Sequence, residues 1–259
     1  MNNTFLTINP AEETKRITDF LQHTAERQKI SKVVLGLSGG IDSTVSFYLL
    51  QKVFTPKQLV VARLSYFPPK HEAIDTVIDQ SALSKNHIYR LSIKPLVDAA
   101  QKTAEIQNSD PLSAIRLGNI MARSRMILLY DLARKHDALV CGTENKSEML
   151  LGYFTRFGDE ASDIEPIRHL YKSQIYQLAT YLGIPKEIIT QAPTAGLWQG
   201  QTDEGQFGFT YEEADGVLYW YHDKKLNLRE ISKKGYPNAE KIITHVKIND
   251  FKHHVPYSL

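Results

Sequence analysis

Cysteine is nearly missing from this chain: Cys141 is the only one among 259 residues. A single thiol excludes an internal disulfide and any zinc site built from several thiolates. A surplus of charge is missing too, since 31 basic residues face 29 acidic ones for a formal +2. That balance advertises neither nucleic acid nor a membrane surface as a partner. No apolar run approaches the roughly 20 residues that a bilayer-spanning helix needs. The start, Met1-Asn2-Asn3-Thr4-Phe5-Leu6, has no basic segment ahead of an apolar one, so no signal peptide is read there. Internal repeats and low-complexity tracts are absent. A cytoplasmic enzyme is the expectation, as one domain over residues 1–259, long enough to bury a sizeable core.

What is present centres on Gly36-Leu37-Ser38-Gly39-Gly40-Ile41-Asp42-Ser43-Thr44. The run Lys32-Val33-Val34-Leu35 ahead of it is short and β-branched, which predicts a buried strand. Val45-Ser46-Phe47-Tyr48-Leu49-Leu50 behind it has the spacing of a helix face. Glycines between strand and helix let the backbone approach an anion, and N–H groups at the positive end of a helix dipole bind phosphate. Ser38, Ser43 and Thr44 would add hydroxyl donors. No lysine lies in the turn, so it is neither the GxxxxGK[ST] loop nor the dinucleotide GxGxxG. The plain alternative is an anion-tolerant turn in an α/β domain.

Around this turn the chain alternates strands and helices. Asn9-Pro10 with Glu12 and Glu13 predicts a helix start, with Ile17, Phe20, Leu21 and Thr24 as its buried stripe. Residues 59–64 read as a strand ended by Pro68-Pro69, residues 71–83 as a helix, and residues 87–91 as a third strand. Another helix is expected from Pro95 to about Gln107. Asp110-Pro111 is read as the cap of a long helix to about Lys135, whose Leu112, Ile115, Ile120, Met126, Ile127 and Leu129 exceed one stripe and suggest a subunit interface. Ala138 to Cys141 is the fourth strand, its cysteine a small core residue rather than a nucleophile.

Residues 152–165 are acidic and loop-like, either a solvated loop or a lid over substrates. A helix follows over 171–182, and residues 191–209 read as a second mobile segment. Thr210-Tyr211-Glu212-Glu213 reads as a capping box opening a helix to about Asp223, and a last helix covers 238–252. This order predicts an α/β fold, a doubly wound parallel sheet with helices on both faces. Ligands of such sheets lie beyond the carboxyl ends of the strands, where the glycine turn falls.

Ser38-Gly39-Gly40-Ile41-Asp42-Ser43 resembles the SGGxDS pyrophosphate loop of the ATP pyrophosphatase superfamily, whose Rossmann-like fold and cleavage of ATP to AMP and pyrophosphate it implies. Further motifs, in order, resemble one branch, the NAD synthetases: Gly118-Asn119-Ile120-Met121-Ala122-Arg123-Ser124-Arg125-Met126, Gly142 to Glu148, Gly152 to Asp159, then Asp163, Pro166, Tyr171-Lys172 and Ala192-Pro193-Thr194-Ala195. The likeness runs from about residue 30 to 256. It implies amidation of deamido-NAD to NAD with ATP and Mg²⁺, in a homodimer. By the same matching, Gly36 and Ser38 to Thr44, with Thr143, Lys172 and Thr194, would hold ATP, and Arg63 could reach it. Asp42 and Glu148, both at strand ends, would hold the metal. Arg123, Arg156, Asp163 and Lys252 would meet deamido-NAD. Asp159 would accept a proton from ammonium.

Two positions depart from that branch. Arg156 stands where it usually carries lysine, and Phe251 where it tends to carry histidine; from the latter stretch only Lys252 is carried over. No glutaminase segment with its own cysteine nucleophile is read ahead of the glycine turn, so free ammonia or a separate glutaminase subunit is implied. The alternatives are another adenylating member of the superfamily, of tRNA thiolase or GMP synthetase type, and a nucleotide sensor that does no chemistry. A single cysteine argues against thiolation, and the Asp42, Glu148 and Lys172 set argues against a mere sensor.

Overall fold

The computed structural model describes residues 3–68, 72–107, 111–198 and 200–258. The expected cap at Asp110, the helix start at His71 and the strand-ending Pro69 lie outside them. The chain runs α1 (Pro10–Gln28), β1 (Val33–Gly36), α2 (Ile41–Leu50), β2 (Leu59–Ser65), α3 (Ala73–Gln80), β3 (Ile88–Ser92), α4 (Lys94–Thr103), α5 (Pro111–His136) and β4 (Leu139–Cys141). It continues through α6 (Lys146–Leu151), α7 (Lys172–Leu182), α8 (Lys186–Ile189), α9 (Asp203–Phe207), α10 (Tyr211–Leu218), α11 (Leu228–Ser232) and α12 (Ala239–Asn249).

The four strands form one parallel sheet in the order β3-β2-β1-β4. Side chains of successive strand residues point to opposite faces. Val33 and Leu35 accordingly join the core with α1, α2 and α7, while Val34 meets Leu132 and Ala133 of α5 on the other face. Helices therefore cover both faces, as the apolar strands require. The chain winds outward through β2 and β3, then crosses back to β4 beside β1. That reversal opens a crevice between the carboxyl ends of β1 and β4, where open α/β sheets bind ligands.

Local signals are met at several ends. Asn9 caps α1 by accepting from the N–H groups of Ala11 and Glu12. Gly152 and Gly183 end α6 and α7 in the left-handed conformation, at φ 64° and 74°. Other expectations need correction. Phe20 is 45% exposed, because α1 turns it to the solvent side of its stripe. Thr210 caps α10, but Glu213 does not close the box: its carboxylate accepts from Asn238 N and Nδ2 instead. That helix ends at Leu218, and Tyr219–Asp223 continues as a wider π turn. Leu112, Ile115 and Ile127 of α5 are 65%, 46% and 54% exposed, so the extra apolar face is uncovered in the single chain. Residues 191–209 are not free: they contain α9, with Gln201, Asp203, Phe207 and Phe209 buried.

Burial pushes the Cys141 thiol up, which suits a core residue and not a nucleophile. Beyond β4, Ile164 adds a one-residue parallel bridge to Cys141 at the end of the acidic loop. Glu165 then packs its carboxyl over Gly142, where a Cβ would lie 1.9 Å from Oε1. Burial raises Glu144 to about 8 and Glu165 to about 7; Arg168, 3.3 Å from Glu144, offsets only part of this. A carboxyl whose native pKa exceeds its unfolded value stabilises the fold while protonated, and that contribution is lost as pH rises through the native value. Glu144→Gln should thus melt close to wild type at pH 5 but on the order of 5–10 °C higher at pH 9. Thermal melts across that range check it; parallel curves would refute it.

Candidate active site

Gly39 adopts φ +98°, a conformation open mainly to glycine, and so turns the chain from β1 into α2. Gly40 sits at the N-cap position with no side chain to offer, which leaves the first-turn N–H groups of α2 without a capping group. Ser38 and Ser43 join across the loop, Oγ to Oγ at 3.0 Å, and Ser38 Oγ accepts from Gly40 N at 3.2 Å. The expected ligand-facing donor at Thr44 needs correction: its hydroxyl is fully buried and donates to Gly40 O at 2.8 Å. Ile41 is a core anchor, 5% exposed. The loop is thus braced from inside by hydroxyls and open at its mouth through backbone N–H groups.

Across the crevice, Lys172 opens α7 with only 2% of its surface exposed. Its ammonium lies 2.5 Å from Asp42 Oδ2 and 3.4 Å from Glu148 Oε1, and 5.1 Å from the centre of the Tyr211 ring. Burial alone would lower its pKa, but the Asp42 and Glu148 charges more than offset this and hold it raised. Glu148 is raised in turn, by burial first and by Asp42 next, against the pull of Lys172. Two carboxylates thus converge on one cation. Such oxygens suit Mg²⁺, which needs one or two carboxylates plus phosphates; no group of three or more His, Cys, Asp or Glu among the described residues could form a larger metal cage.

Several residues that sequence reasoning missed hold this cluster. Asn145 caps α6 and donates through Nδ2 to Asp42 Oδ1 at 2.9 Å, tying β4's end to the loop. Asp215, fully buried in α10, accepts from Ser173 N at 2.8 Å and from the Ser147 hydroxyl, which accepts from Lys172 N at 2.8 Å. Asp203, 3% exposed, accepts from Tyr153 OH, Ala195 N and Tyr211 OH at 3.0, 3.1 and 3.1 Å. It therefore joins the acidic loop, the Thr194 segment and α10. Only the polar clusters in the sequence hinted at these roles, since the partners lie up to 103 positions apart.

Other expected residues fall as follows. Thr143 is half-buried just past β4, and Thr194 is exposed. Arg63 is not free: it pairs with Glu72 at 2.8 Å and with Asp75. Asp163 Oδ2 is spent on Val140 N at 2.7 Å. Asp159 accepts from Thr155 N at 2.8 Å, and desolvation raises its carboxyl against that bond. Lys252 braces the acidic loop, donating to Gly152 O and Phe154 O at 2.5 and 3.1 Å, and burial lowers its pKa. Arg123 donates to Arg156 O at 3.2 Å, and Arg156 lies 4.9 Å above the Phe251 ring. The two departures noted above touch each other.

The parallel sheet with helices on both faces and a glycine turn after its first strand is the fold of the ATP pyrophosphatases, as its structural neighbours share it. The profile of the NAD synthase family matches residues 13–256. The NH(3)-dependent NAD(+) synthetase of Thermoplasma volcanium is 40% identical over 253 residues, 96% of this chain and 97% of that protein. That of Fusobacterium nucleatum is 35% identical over 256 residues, 97% and 96% of the two chains. Among solved structures, NMN synthetase from Francisella tularensis superposes with a TM-score of 0.83 at 32% identity, covering 98% of this chain and 99% of that one. This chain belongs to the NAD synthase family.

Removing Asp203 takes the acceptor from Tyr211 OH and Ala195 N, while Tyr153 OH keeps Gln206 Oε1 at 2.9 Å. Asp203→Ala should lower stability by about 2–4 kcal/mol, read from urea unfolding. A loss below about 1 kcal/mol would show that Asp203 does not hold these segments together.

Proposed function

We propose that this protein is a carbon–nitrogen ligase that converts deamido-NAD to NAD with ATP and ammonia, forming AMP and pyrophosphate. The observation that carries this reading is the buried Lys172 ammonium, gripped by Asp42 and Glu148 across the crevice from the phosphate loop, in a chain of this family. A carboxylate does not accept an amine directly, because oxide is a poor leaving group. In the first step the nicotinate carboxylate attacks the α-phosphorus of ATP, and pyrophosphate leaves. In the second, ammonia attacks the acyl carbon, and AMP departs with one former carboxylate oxygen.

The residues divide this work. First-turn N–H groups of α2 and the Lys172 ammonium meet charge developing on the departing pyrophosphate, with no reorganisation needed at that moment. Asp42 and Glu148 would hold Mg²⁺, which supplies further neutralisation of phosphate charge. Thr143 and Thr194 take the nucleotide. Arg123, Arg156, Asp163 and Lys252 frame the dinucleotide's approach, Lys252 by fixing the loop. Asp159, its pKa raised, takes the proton that ammonium must lose before it can attack. Arg63, tied to Glu72 and Asp75, would have to exchange a partner to reach ATP. The uncovered Leu112, Ile115 and Ile127 on α5 support a homodimer through that helix. A cytoplasmic location fits ATP and ammonia as co-substrates, and no helix among the described residues is long and apolar enough to cross a membrane.

The superposition on a protein named NMN synthetase favours a second reading of the acid, nicotinic acid mononucleotide. The same two steps would apply to it.

Incubation with deamido-NAD, ATP, Mg²⁺ and ammonium chloride should release NAD and AMP in equal amounts; ADP in place of AMP would refute the reaction. Offering both acids in parallel separates the two readings by kcat/KM. Asp42→Asn should lower kcat by about 10²-fold or more and, by leaving Lys172 with one counter-charge, lower the melting temperature as well, so turnover is read well below that transition. Turnover near wild type would remove Asp42 from the chemistry.

A further inference from the structure

Arg125 lies on α5 two residues past Arg123, about 200° around the helix, so the two side chains leave on opposite sides. Arg123 is exposed, whereas Arg125 turns inward. Its Nε donates to Leu64 O at 3.1 Å, near the carboxyl end of β2. That carbonyl lies two residues beyond Ala62, whose own carbonyl accepts from Leu37 N at the start of the phosphate loop. The guanidinium is thereby tethered at the mouth of the sheet, on the strand next to the loop.

Among the described residues no carboxylate forms an ion pair with it. Arg16, Arg63, Arg90 and Arg168 each meet a carboxylate within 4.0 Å, but among the described residues none comes that close to Arg125. Burial lowers its pKa, and the charge that pulls the other way is that of Asp159, on the acidic loop. A desolvated cation normally has an ion-pair partner, because uncompensated burial is costly. Nε accounts for one of five N–H groups, and the remaining fork has the planar geometry that takes two phosphoryl oxygens at once.

We infer that Arg125 is a further substrate-binding residue, whose guanidinium, held by the Leu64 carbonyl, grips a phosphoryl group of a bound nucleotide. The inference rests on the ligase reading above and deepens it by adding a phosphate contact on α5. The phosphate belongs either to ATP or to the dinucleotide acid.

Equilibrium binding separates the sources. Calorimetric titration of wild type and Arg125→Gln is run with deamido-NAD alone and, separately, with a non-cleavable α,β-methylene analogue of ATP and Mg²⁺. Glutamine keeps a donor for Leu64 O and removes the charge, so the helix seat is retained. Affinity for one ligand should fall about tenfold or more, and the ligand affected names the phosphate's source. Arg125→Lys should recover part of the loss, because its charge remains while the fork is gone. Unchanged affinity of Arg125→Gln for both ligands overturns the assignment, and so does a lowered melting temperature with binding intact, which would make Arg125 a brace only. Wild-type protein that binds neither nucleotide overturns the ligase reading itself, and this inference with it.

Discussion

A fully enclosed ammonium must be matched or it will not stay charged, and the crevice is organised by how Lys172 is matched. Asp42 comes from the first turn of α2, Glu148 from α6 and Lys172 from the first turn of α7, so one ion cluster ties the N-terminal turns of three helices. Opposing carboxylates keep the lysine protonated despite burial, and the lysine restrains the repulsion between the two acids. A cation at a helix N-terminus is mildly unfavourable, a cost of well under a few kcal/mol. The paired charges exceed it, so the local rule yields to the site.

Around this cluster lies a second layer of polar side chains whose work is placement. Ser147 and Asp215 hold the backbone at the start of α7, which sets where the lysine can point. Asn145 holds Asp42. Asp203 gathers two segments that would otherwise be free to swing. Fully bonded buried polar groups of this kind rigidify, because their partners cannot be exchanged for water. The Lys172 cluster is therefore held in place by the protein's own hydrogen bonds, the fixed placement on which electrostatic stabilisation relies.

Much of this was legible in the residues. Short runs at 32–35, 59–64, 87–91 and 138–141 marked all four strands, and the glycine pair marked the turn, because each signal is local. Asp42, Glu148 and Lys172 were legible through motif matching, and they do come together. Less visible were features set by distant partners. Thr44 looks like a ligand donor until its hydroxyl is seen folded back on Gly40. Arg63 looks free until Glu72 and Asp75 are placed beside it. Residues 191–209 read as slack because their anchors, Tyr153 and Tyr211, belong to other elements. Composition carries no record of such long-range bonds.

The contact between Arg156 and Phe251 bears on how this site can drift. A guanidinium spreads its charge over a plane and lies flat on an aromatic face; an ammonium does so less completely, and an imidazole offers a weaker face that becomes cationic in acid. Exchange at either position alone therefore weakens the stack. The two positions lie 95 apart in the chain, so this one stack fastens the tip of the acidic loop to the C-terminal segment.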